Sequence, residues 1–123
     1  MSLDHVTPAA RRVIMQAFQT LADHWALTAE EQARVLAPPA VAHLVALDLP
    51  DAEVSDAVVK RILPTLGIYA ALRTLFPTAN GQRRWLRAPN AAHSFGGRST
   101  LHVMSGGLDE MRAVRRYLGA VAG

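Results

Sequence analysis

The chain has 123 residues, half of them hydrophobic, and a formal net charge of +3. Its isoelectric point is about 10.2. Cysteine is absent, which excludes disulfides, thiolate metal sites and cysteine nucleophiles. The length suits one domain, or two very small ones packed together, with apolar surface for a core and some to spare for a partner. No apolar run approaches the ~18 residues of a membrane span, so no membrane partner is expected. The opening residues lack an export pattern, because Asp4 and His5 come first and Arg11 and Arg12 interrupt the next stretch. A cytoplasmic protein is therefore expected. The basic balance suits nucleic acid or an acidic protein patch and does not choose between them.

Alanine, valine and leucine dominate and no β-branched alternation is sustained, so helices are expected throughout. Thr7 before Pro8 reads as an N-cap and a first helical residue. Ile14, Phe18, Leu21 and Trp25 then recur at helical spacing and predict a helix over about 8–25, with His24 at its end. Thr28 and Glu31 form a capping box that opens a short helix, which Pro38 and Pro39 end. A third helix follows over about 40–47, then a turn at 48–51 with Asp51 as a cap. The apolar pattern from Val54 to Phe76 predicts a long helix, which Pro64 should kink or split. Residues 76–81 read as a closing turn, and residues 82–86 as a short helix carrying Trp85 that Pro89 and Asn90 stop. Residues 91–99 read as loop. Ser99 caps a one-turn helix over 100–104, and Gly106 and Gly107 break it. The last helix starts near Leu108 with Met111, Val114, Leu118 and Val121 on one stripe and Tyr117 beside it. Its acids lie in the first turn and Arg115 and Arg116 nearer the end, as the helix dipole favours.

Two short helices around the break at Ala37 have helix-turn-helix order. A recognition helix needs hydrogen-bonding side chains aimed at base edges. In residues 40–47 only His43 offers one, so the arrangement reads as a shape kept for packing, with Arg34, Lys60 and Arg61 as the available phosphate contacts. No two of the five histidines form an i,i+3 or i,i+4 pair, so no metal is expected. The acids sit at helix starts and on exposed faces, where capping and dipole effects account for them, and no nucleophile, acid and base converge. Phe95, Gly96, Gly97, Arg98 and Ser99 lack the preceding strand and the GKS/T ending of a phosphate loop. A binding protein without enzymatic activity or cofactor is expected.

The informative feature is the order of motifs after Trp85. Trp85 and Leu86 precede Pro89 and Asn90. Gly96, Gly97, Arg98 and Ser99 come next, then a short helix ending at Met104, then Val114 and Leu118 near the C-terminus. This stretch resembles the toxin-binding domain of Xre/MbcA/ParS-type antitoxins, which pair with RES-domain toxins and read W-L-x-x-P-N, then G-G-x-(S/T)-P, then a short helix, then V-x-x-x-L. Residues 22–28, 66–72 and 75–77 extend the resemblance over nearly the whole chain. Thr100 stands where the family pattern has proline, and Ala37 stands where the helix-turn-helix has its turn glycine.

The resemblance implies an all-α protein with a helix-turn-helix-like helical bundle over residues 1–77 and a small helical toxin-binding domain over residues 78–123. It implies an antitoxin that occludes the active site of a toxin consuming NAD or transferring ADP-ribose, with no chemistry asked of this chain. The contact residues so implied are Trp85, Pro89, Asn90, Phe95, Gly96, Gly97, Arg98, Ser99, Met104, Met111, Arg115, Arg116, Tyr117 and Gly123, with the small-residue tail from Gly119 threading into a narrow pocket. A homodimer or a toxin–antitoxin hetero-oligomer is expected, with the long helix as the dimer surface and operator DNA bound poorly by the chain alone. The competing reading is a helix-turn-helix repressor that acts without a toxin.

Overall fold

Caps set where most of the helices begin. In the computed structural model, which describes residues 6–36, 56–91 and 95–122, the Ala10 amide donates to Thr7 Oγ1 at 3.1 Å and starts helix α1, Pro8–His24. The predicted capping box is present at α2, Ala29–Leu36: the Thr28 amide donates to Glu31 Oε1 at 2.9 Å and the Glu31 amide to Thr28 Oγ1 at 3.1 Å. The remaining helices are α3, Asp56–Leu75; α4, Ala79–Arg87; α5, Thr100–Met104; and α6, Leu108–Ala122. The described residues hold six helices and no strand, as the composition implied. The expected helix over 40–47, with His43, the prolines at 38 and 39, and the turn at 48–51 lie outside the described residues.

The corner between α1 and α2 is a Schellman motif. The Leu27 amide reaches the Ala22 carbonyl at 2.9 Å and the Ala26 amide the Asp23 carbonyl at 3.1 Å. Ala26 itself has φ 54, in the left-handed region where a Cβ crowds the backbone. The corner carries Trp25 into the core. Its Nε1–H donates to Gln82 Oε1 at 3.2 Å, and its ring meets Tyr69 edge-on at 5.8 Å. His24, at the helix end as expected, is hydrogen-bonded through Nδ1 to the Tyr69 hydroxyl.

Helix α3 is the hub, packing against α6 and α1 and also against α2 and α4. It runs unbroken through Pro64, so the expected split does not occur. A proline inside a helix costs about 3 kcal/mol. Here Pro64 is buried along with Val59, Ile62, Ile68 and Leu72, and each large apolar side chain so buried contributes roughly 1.5–3 kcal/mol. Tertiary packing on several sides therefore outweighs one missing hydrogen bond. Close by, Thr65 Oγ1 donates to the Arg61 carbonyl at 2.8 Å.

Helix α4 is longer than the sequence suggested. Residues 79–81 belong to its first turn, not to a closing turn, because Thr78 Oγ1 accepts from the Gly81 amide at 3.1 Å and caps the helix at Ala79. Asn80 and Gly81 read as turn formers, yet first-turn amides have no helical partner to lose, so weak helix formers are tolerated there. Gln82 is buried; its Nε2 donates to the Phe76 carbonyl at 3.1 Å while its Oε1 holds Trp25. A single apolar cluster joins Phe18, Leu21 and Trp25 of the first half to Phe95, Met104, Met111, Val114 and Leu118 of the second. Replacing Ala26 by glycine relieves the left-handed strain and should stabilise the protein by about 1 kcal/mol, read as a higher midpoint in denaturant with an unchanged slope.

Candidate functional site

The loop between α4 and α5 is built to show its backbone. Phe95 is its anchor. The ring is fully buried, edge-on to Trp85 at 6.2 Å and to Tyr117 at 5.1 Å. Trp85 in turn lies 6.1 Å from Phe76. Beyond the anchor the chain turns back on Asn90: the Asn90 amide donates to the Arg98 carbonyl at 3.1 Å, and the Gly97 amide to the Asn90 carbonyl at 2.9 Å. Gly96 and Gly97 have φ of 58 and 80. A Cβ at Gly97 would meet nothing within 4 Å, so backbone conformation and not crowding calls for glycine there. The result is a strip of bare, exposed main chain beside Arg98, whose Nε–H donates to the Phe95 carbonyl at 3.2 Å. Ser99 caps α5 as expected, accepting from the His102 amide at 3.1 Å.

The residues implied as contacts fall into three groups. Pro89, Gly96, Gly97, Arg98, Arg115 and Arg116 are exposed, and Trp85, Asn90, Ser99 and Tyr117 are half-buried. Phe95, Met104 and Met111 are fully buried and act as the floor under the others. Tyr117 touches Phe95, so one flank of α6 packs on the anchor of the glycine loop. The last helix continues to Ala122, as the stripe reaching Val121 implied, and Gly123 lies outside the described residues. Alanine, the strongest helix former, suits this end of α6. Val121 itself leaves the buried stripe and is 56% exposed at the helix end.

Of the phosphate contacts, Arg34 and Lys60 are exposed and Arg61 is half-buried. Arg34 faces Glu30 at 3.5 Å. Among the described residues no three His, Asp or Glu side chains could together hold a metal ion, and no helix is long and apolar enough to cross a membrane.

Sequence reasoning missed Arg87. From the end of α4 its guanidinium reaches Glu31 through both nitrogens, at 2.7 and 3.1 Å, and donates to the Ala26 carbonyl at 3.0 Å. It thereby ties the glycine-loop half to the α1–α2 corner. The Arg87 hydrogen bond holds the Glu31 carboxyl below its ordinary range, against a smaller opposing effect of burial, and Glu31 raises Arg87 in turn. The i,i+3 spacing of Thr28 and Glu31 revealed the cap, but nothing local pairs Glu31 with a residue this far along the chain. The pair sits beside a cleft of about 410 Å³ whose other lining residues include Arg34, Ser99, His102 and Ser105. The cleft's serines are committed, Ser99 to the α5 cap and Ser105 Oγ to the Leu101 carbonyl at 2.9 Å.

The geometry defines a helical protein that exposes the backbone of residues 96–98 and one face of α6, with no convergent reactive groups among its described residues. Residues 71–123 match the family model of the antitoxin Xre/MbcA/ParS C-terminal toxin-binding domain. Over 110 residues the chain is 32% identical to the uncharacterized protein y4oB of Sinorhizobium fredii (strain NBRC 101917 / NGR234), covering 89% of this chain and 84% of that protein. No solved structure matches it. The C-terminal part of the chain, residues 71–123, is thus a toxin-binding domain of the Xre/MbcA/ParS type, which implies a toxin as partner.

Two outcomes follow from these contacts. Glu31 is held below its ordinary range in the folded state, so the pair's contribution is present above the unfolded carboxylate range and is lost as pH falls through and below it. Arg87→Met should cost about 1 kcal/mol near neutral pH, given the partial exposure of the pair. It should also flatten the loss of stability on acidification, read by denaturant titrations across pH. Thr100 buries a hydroxyl with no hydrogen-bond partner among the described residues; Thr100→Val should raise stability by about 1 kcal/mol in the same assay.

Proposed function

We propose that this chain neutralises a RES-domain toxin, one that consumes NAD or transfers ADP-ribose, by covering the entrance of the toxin's active site. The observation that carries the reading is the exposure of residues 96–98 and of the arginines of α6, both inside the region matched by the toxin-binding family model. Exposed glycine backbone lets a partner's main chain approach closely. Arg98, Arg115 and Arg116 supply guanidinium groups for carboxylates, and the half-buried Tyr117 adds an aromatic anchor. Inhibition is by occlusion: the dinucleotide is kept out, and no proton or bond moves on this chain. Phe95, Met104 and Met111 contribute by holding the surface in shape. Residues 78–123 act as the toxin-binding unit and residues 1–77 as the helix-turn-helix-like one. The assembly is a homodimer or a toxin–antitoxin hetero-oligomer. Operator binding by the chain alone is weak, because the 40–47 stretch offers little for base readout.

The test is coexpression with a RES-domain protein from the same genome. Arg98→Glu combined with Val121→Glu alters two exposed positions and should leave the fold intact by circular dichroism. The wild-type chain should restore growth and the double variant should not. Full protection by the variant, or failure of the wild-type chain to copurify with that protein, overturns the reading. In gel shifts at physiological salt the chain alone should show no sequence-selective operator complex at nanomolar concentration.

A further inference from the structure

Six of the twelve arginines have an internal partner among the described residues. Arg11 pairs with Asp56, Arg34 with Glu30 and Arg87 with Glu31. Arg73 lies over the Tyr69 ring, Arg83 donates to the His24 carbonyl, and Arg98 donates to the Phe95 carbonyl. Of the other six, three stand together on α6. Arg112, Arg115 and Arg116 are all exposed and line one surface depression together. Among the described residues none of them has a carboxylate within ion-pair distance. At spacings of three and four residues they share one helix face, where like charges repel.

Gly67 of α3 gives the cluster its second feature. A Cβ there would stand 2.5 Å from Arg115 Nε and 3.1 Å from its Cζ. Glycine inside a helix costs roughly 1 kcal/mol relative to alanine. At Gly67 it opens a seat in which the Arg115 side chain lies flat across the α3 backbone. The guanidinium is thus held in place beside Arg112 and Arg116, which lowers the ordering cost of gripping a partner.

We infer that the Arg112–Arg115–Arg116 face of α6 docks an acidic patch, aspartate and glutamate side chains, on the surface of the partner toxin. The inference rests on the toxin-binding reading above and names the chemistry of the surface that complements it. Three unpaired guanidinium groups on one rigid helix face attract carboxylates by long-range steering and then grip them by bidentate hydrogen bonds. Charge complementarity of this kind acts first on the association rate and weakens with salt.

The experiment measures binding of the full chain to a RES-domain protein from the same genome by surface plasmon resonance, at low salt and at about 0.5 M salt. Arg112→Glu with Arg116→Glu leaves the Arg115 seat untouched and should slow association about 10-fold or more at low salt, with the difference shrinking at high salt. Replacing all three arginines by lysine keeps the charge and should change the association rate less than about 3-fold. Gly67→Ala unseats Arg115 and should raise the dissociation rate. A wild-type complex whose association ignores both salt and charge reversal overturns this inference and leaves the toxin reading standing. Absence of any wild-type complex overturns both. A duplex DNA arm is run in parallel: salt-sensitive DNA binding that Arg112→Glu with Arg116→Glu abolishes, alongside toxin binding it leaves unchanged, assigns the face to nucleic acid and overturns the inference.

Discussion

The burial of one aromatic ring governs what this protein can present. Phe95 sits at zero exposure between Trp85 and Tyr117. Removing such a side chain from water contributes roughly 1.5–3 kcal/mol, and its edge-on ring contacts add about 0.5–1.5 kcal/mol each. That anchor is the reason two consecutive glycines can be exposed without leaving the loop slack. The chain dives at Phe95, emerges at Gly96 and is pinned again by the two hydrogen bonds to Asn90. A loop tied at both ends and open in the middle loses little entropy on meeting a partner.

The second constraint is the clamp at Arg87. One guanidinium satisfies the carboxylate of a capping box and a carbonyl of the strained corner that precedes it. Glu31 therefore serves two elements at once: it closes the first turn of α2 and receives the end of α4. Together with Trp25 reaching Gln82, this joins the helices of the first half to the region matched by the toxin-binding family model. The binding surface and the N-terminal helices thus share a core, and disturbance at either end of the clamp reaches the other through contacts already in place.

What the sequence revealed and what it concealed divide along one physical line. Local signals were legible: Thr7 with Pro8, Thr28 with Glu31, and Ser99 each capped the helix their spacing implied. Periodicity found the stripe of Met111, Val114 and Leu118. Misreadings arose where packing overrode a local preference, as at Pro64 inside α3, or where a weak cap was hidden by turn formers, as at Thr78 before Asn80 and Gly81. The motif order led to the right family and to the glycine loop, but it did not separate the exposed residues from Phe95, Met104 and Met111 beneath them. Long-range pairs such as Arg87 with Glu31 and Arg115 over Gly67 have no local signature and needed the fold to become visible.

The central claim is that the glycine loop and the outer face of α6 form one surface that a toxin covers. Hydrogen–deuterium exchange of the full chain, with and without the toxin it neutralises on coexpression, tests it most directly. The account predicts that peptides spanning residues 95–99 and 112–122 slow their exchange on complex formation while those of α1 stay as they were. Protection confined to α1 and α2, with the loop and α6 unchanged, would contradict it.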